Sequence, residues 1–121
     1  MSDLDPGAEP SGEATLDPED SKLVVLARGA MGRANATSGA AVRDSDGRTY
    51  AAGPVYLSTL KLSALQSAVA AALSSGAEGF EAAVVLGADL TDDGVAALRE
   101  VSATAKVIVA RPNGEVVGID G

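Results

Sequence analysis

The chain of 121 residues contains no cysteine, no histidine and no tryptophan. The first two absences exclude disulfides, thiolate- or imidazole-bound zinc, an imidazole general base, and Ser-His or Cys-His nucleophile pairs. Aromatic side chains are scarce as well, with only Tyr50, Tyr56 and Phe80 present. Unpaired bases need stacking platforms, and duplexes need clustered lysine and arginine. The nine basic residues do not cluster and none lies in the first twenty positions, so nucleic-acid binding is not expected. Long hydrophobic runs are missing too. Stretches such as Ala64–Leu73 fall short of the roughly 20 apolar residues a spanning helix needs. The N-terminus lacks the basic-then-apolar order of a signal peptide. A cytoplasmic protein with no membrane partner is the expectation.

What charge there is lies unevenly. Asp3, Asp5, Glu9, Glu13, Asp17, Glu19 and Asp20 supply seven of the 17 acids. Residues 21–121 carry the other ten acids and all nine bases, so the body sums to −1 of the total −8. Residues 1–16 are rich in Asp, Glu, Pro, Gly and Ser, with Leu4 and Leu16 as their only branched apolar side chains. Such a segment buries too little surface to offset its ordering entropy and reads as a disordered acidic tail. A partner-binding arm is the alternative. The remaining length, residues 17–121, fits one small domain.

Within that domain the punctuation is clear. Asp17 can cap a helix, Pro18 suits its first position, and Glu19 and Asp20 favour the positive end of the dipole. Leu23, Leu26, Ala27, Ala30, Met31 and Ala34 recur at helical spacing, predicting a helix from Pro18 to Arg33. Gly39–Arg43 and Arg48–Ala52 flank Asp46-Gly47, and Lys106–Ala110 and Glu115–Ile119 flank Asn113-Gly114. Both patterns predict hairpins. Glu81–Leu86 is an unbroken apolar run, suited to a strand covered on both faces. Ser63 can cap a second helix with a Leu65, Val69, Ala72 and Leu73 stripe, ending near Gly76. A third helix starts near Thr91 or Asp92, with Val95, Leu98 and Val101 on one face. The order predicts an α/β sandwich with a mixed five-stranded sheet.

Other chemistry is weakly signalled. Asp44-Ser-Asp46-Gly47 and Asp89-Leu-Thr-Asp92-Asp93 offer carboxylates, but a turn and a helix start account for them, and Arg48 and Val55 spoil a calcium loop. Ser58-Thr-Leu-Lys61 has the Ser-x-x-Lys spacing of penicillin-binding enzymes without their companion motifs. Gly29-Ala-Met-Gly32 lacks the residues of a phosphate loop. Glu78, Glu81 and Arg99 are expected on a solvated surface.

The element order, together with Gly39-Ala-Ala-Val-Arg-Asp-Ser-Asp-Gly-Arg-Thr-Tyr50, resembles the small homo-oligomeric cytidine deaminases over about Ala27–Val117. Phe80–Asp89 resembles that family's central strand, Ser63–Gly76 and Leu98–Val101 its two zinc-site helices, and Lys106–Val117 its next two strands. The resemblance implies a three-layer α/β/α fold and a homo-oligomer. In the family, Cys or His at two helix N-termini holds Zn²⁺, which activates a water, and a Glu shuttles protons. The first of those helices opens with Cys-Ala-Glu; here the matching positions read Ser63-Ala64-Leu65. The second opens with Pro-Cys-x-x-Cys; here it reads Gly94-Val95-Ala96-Ala97-Leu98. The ribose-holding Asn-x-Glu falls on Pro54-Val55-Tyr56, and the base-packing Phe falls near Ala36. No register recovers the metal ligands, because the chain has no Cys or His anywhere.

By this resemblance Ser63, Leu65, Val95 and Leu98 are degenerate former zinc-site positions. Leu65, Val95 and Leu98 are expected to fill the old pocket with hydrocarbon, each burial contributing about 1.5–3 kcal/mol. The leading expectation is a catalytically silent relative with no cofactor, acting as an interaction or regulatory module for an unknown protein partner. The competing one is a nucleoside- or nucleotide-binding protein, or a related hydrolase with a non-zinc site. Its residues would be Tyr56, Ser58, Lys61 and Asp89 around a residual pocket.

Overall fold

The computed structural model describes residues 16–121. Residues 1–15 of the expected tail, 1–16, lie outside that range, and its last residue, Leu16, packs against the body instead. Chain order is α1 (Pro18–Arg33), β1 (Gly39–Asp44), β2 (Thr49–Ala52), β3 (Val55–Tyr56), β4 (Lys61–Leu62), α2 (Ala64–Ser74), β5 (Phe80–Leu86), α3 (Asp93–Val101), β6 (Lys106–Ala110) and β7 (Val116–Asp120). Five strands form one sheet in the order β2-β1-β5-β6-β7, and β3 pairs with β4 separately. Only β5 and β6 run parallel, joined by the α3 crossover; the other pairings in the large sheet are antiparallel.

Alternation along the strands builds two cores. Ala41, Ala82, Val84, Leu86, Ile108 and Ala110 face α1, meeting Leu23, Val24 and Ala27. Their neighbours Ala40, Val42, Ala83, Val85 and Val107 face α2 and α3. The successive-face rule of a strand thus separates a three-layer α/β/α sandwich from an otherwise continuous apolar sequence. No described helix is long and apolar enough to cross a membrane.

Local chemistry explains the element ends. The Asp17 side chain accepts from the Asp20 amide to start α1, with Pro18 in the first turn. In the first hairpin the buried Asp44 carboxylate accepts from the amides of Asp46 at 3.0 Å and Arg48 at 2.9 Å, and from the Tyr50 hydroxyl at 3.3 Å. Gly47 completes the turn at φ 85°, where a side chain would be strained.

Several expected faces shift in detail. Along α1 the buried apolar residues are Leu23, Val24, Ala27 and Ala30, while Ala34 is exposed beyond the helix end. Leu73 and Val101, each in the last turn of its helix, are exposed rather than part of the core. Glu81 and Arg99 are not simply solvated: Glu81 pairs with Arg43 at 2.8 Å, and Arg99 with Asp120 at 2.8 Å. Glu81 belongs to a larger cluster, in which the buried Asp20 carboxylate meets Arg43 at 3.1 Å and also Lys106. Burial opposes the Arg43 charge, but hydrogen bonds to Glu81 and Asp20 outweigh it and hold the guanidinium above its ordinary value.

Candidate functional site

The N-termini of α2 and α3 converge, and each is capped by a polar side chain. At α2 the Ser63 hydroxyl accepts from the Gln66 amide at 3.1 Å, and the Gln66 side chain accepts from the Ser63 amide at 2.8 Å. This reciprocal box satisfies two otherwise unpaired donors. At α3 the Asp92 carboxylate accepts from the Gly94 amide at 2.8 Å. The two caps also touch: Ser63 Oγ donates to Asp92 Oδ2 at 2.8 Å.

Beneath the caps the material is hydrocarbon. Leu65 is 1% exposed, Val95 7% and Leu98 0%, and all three join Ala68, Val69, Val85 and Val107 in the core between these helices and the sheet. Gly94 lies directly over Leu65. A methyl group at Gly94 would stand 2.6 Å from Leu65 Cβ and 2.7 Å from the Gln66 nitrogen, so only glycine admits this approach.

The donor set decides whether the zinc ion implied by the resemblance fits here. Catalytic zinc takes three protein ligands from Cys, His, Asp or Glu and leaves a position open. The two helix starts offer the Ser63 hydroxyl and the Asp92 carboxylate, each engaged as a cap, and the Asp93 carboxylate in the first turn of α3. The matching positions Leu65, Val95 and Leu98 carry no donor atom, and no three His, Cys, Asp or Glu side chains gather among the described residues. These residues do not fit a zinc ion.

The other candidates are distributed. Tyr56 and Lys61 are cross-strand partners on the β3–β4 hairpin, with Ser58 in its turn, and Tyr56 is 74% exposed. Asp89 follows β5 and lines a cavity of about 470 Å³ with Val109, Arg111, Pro112 and Val117, a cavity that none of the hairpin residues lines. Its carboxylate accepts from the Thr91 hydroxyl and from the Thr91 amide, which together hold it below the ordinary aspartate value. Three candidates thus share one hairpin and the fourth lines a separate cavity.

Sequence reasoning missed two parts of the site. Asp92 was legible as a helix start, but nothing local signals that it receives the hydroxyl of a residue 29 positions earlier. Gly94 carried no role in the sequence reading, and its requirement for close approach to α2 exists only in the folded molecule.

The fold is similar to that of the cytidine deaminase from Burkholderia pseudomallei, with a TM-score of 0.72 and 22% identity, covering 83% of this chain and 90% of that one. For the cytidine deaminase from Mycobacterium leprae the TM-score is 0.65 at 21% identity, covering 86% and 93%. For that from Mycobacterium tuberculosis it is 0.64 at 22% identity, covering 77% and 85%. At these identities the likeness is one of fold. No curated protein matches the sequence. A family model described as cytidine deaminase-like matches residues 16–114, which takes in both capped helices and all but the last strand of the sheet. The chain belongs to the cytidine deaminase-like family.

Proposed function

We propose that this protein is a catalytically silent member of its family, retained as a cytoplasmic interaction or regulatory module that acts on a protein partner and self-associates. The observation that carries this reading is the content of the α2–α3 junction. Where the resemblance calls for a metal, its activated water and a proton-carrying Glu, the chain supplies a Ser63–Asp92 cap pair over Leu65, Val95 and Leu98. Pyrimidine deamination needs an activated water and a group that carries protons to and from the ring. Leu65 can carry none, and the Asp92 oxygen that faces Ser63 is already shared between that hydroxyl and the Gly94 amide.

Exposed apolar side chains give an interaction module material to work with. Tyr56, Leu57 and Leu60 project from the β3–β4 hairpin, where Leu57 and Leu60 close the turn through a backbone bond of 2.8 Å.

Thermal melts with cytidine, uridine, nucleotides, Zn²⁺ and Mg²⁺ test the reading. A ligand at 100 times its dissociation constant adds about 2.7 kcal/mol to the folded state. The expected outcome is no shift with any of them. A clear shift with one nucleoside would favour a surviving binding pocket and overturn the proposal.

A further inference from the structure

We infer that the Ser63–Asp92 contact is the mechanical replacement for a metal centre: a hydrogen-bonded clasp that ties two helix N-termini and makes this domain independent of metal. The inference rests on the reading of the junction as unfit for zinc, and extends it by naming what does the tying instead.

Two helix starts that face one another bring two sets of unpaired amides and two positive dipole ends together. Something negative must lie between them. Asp92 is that group, and its Oδ2 receives one donor from each side, Ser63 Oγ at 2.8 Å and Gly94 N at 2.8 Å. The single hydroxyl proton of Ser63 is committed to Asp92, so its lone pair is free to accept from Gln66 N at 3.1 Å. The chain of donors therefore runs from the α2 amide through the hydroxyl to the carboxylate, with the α3 amide arriving from the other side. Every proton in it has one direction and one acceptor. Charge-assisted bonds of this kind are about twice as strong as neutral ones.

Packing locks the same junction from below. The bare Cα of Gly94 rests against Leu65, and a side chain there would strike both Leu65 and the Gln66 backbone. Leu65, Val95 and Leu98 then close the space in which a cation between the two helices would sit. Two ordinary caps would need neither the contact between them nor the glycine.

A comparison of Ser63→Ala, Asp92→Ala and the double variant separates a clasp from two independent caps. Each single change is expected to lower the melting temperature by about 4–8 °C. A clasp makes the double loss clearly smaller than the sum, because either change breaks the shared bond. Amide exchange gives a second readout: Ser63→Ala should speed exchange at Gly94, in the helix to which Ser63 does not belong. Neither EDTA nor added zinc sulfate should move the melting temperature of the unaltered chain. Additive losses, or exchange changes confined to α2, would overturn the clasp. A melting temperature that falls on chelation would overturn its metal independence and, with it, the reading of the junction, whereas additivity alone would leave that reading standing.

Discussion

Asp20 shows how one side chain can govern a sandwich from its edge. It is almost fully buried, yet it faces Arg43 on β1 and Lys106 on β6, which flank Ala82 of β5 in the same row of the sheet. A larger residue than alanine in that row would occupy the space the carboxylate uses. Removing one member of a buried ion cluster leaves uncompensated charge and costs about 3–5 kcal/mol. Asp20→Ala should therefore lower the unfolding free energy by that amount in urea titrations, a far larger loss than an exposed ion pair would give. Sequence reading assigned Asp20 to the helix dipole alone, since its two cationic partners stand 23 and 86 positions away. Asp89 behaves differently, being exposed and held by Thr91. Its folded-state value is lowered, so its contribution is present above the ordinary aspartate value and is lost as pH falls through the lower, folded one. A carboxyl-carbon NMR titration should place the Asp89 midpoint below that of a free aspartate, and an unshifted midpoint would remove the role given to Thr91.

Among the elements, those with chemical punctuation or a long apolar run were legible, and the shortest strands were not. Helix α1 spans Pro18–Arg33 as expected from the Asp17 cap and Pro18, and β6 spans Lys106–Ala110 as expected from its apolar run before Asn113-Gly114. The β3–β4 hairpin escaped notice because two strands of two residues each are too short to show a period, and Leu57–Leu60 carries no turn signature. Periodicity placed α3 but carried its buried face one turn too far. Val95, Leu98 and Val101 share helical spacing, but Leu98 is fully buried whereas Val101, the last residue of the helix, is 39% exposed. Spacing reports direction around a helix axis and says nothing of how far along that axis the neighbouring layer reaches. Leu98→Ala should cost about 2–5 kcal/mol of stability through its cavity, and Val101→Ala about 0.5 kcal/mol or less. Equal losses at the two positions would contradict the packing described.

Across the whole molecule, fold and site were legible to different degrees. The unbroken apolar run through Ala82–Leu86 is visible in the sequence and predicts a strand covered on both faces, while the division of its side chains between the two cores is seen only in the folded molecule. The absence of Cys and His fixes which donors any site can use, before a coordinate is known. What sequence could not supply is the way α2 and α3 meet, since Ser63, Asp92 and Gly94 acquire their relation only through the crossover that places β5 beside β1 and β6. A shared fold does not carry a shared reaction; the reaction belongs to the groups at the site. The central proposal is that this chain lacks the groups that would deaminate a pyrimidine, and ammonia release from cytidine by the purified chain with zinc supplied tests it most directly. The account predicts a rate indistinguishable from buffer. Release that scales with protein concentration and survives repurification would contradict it.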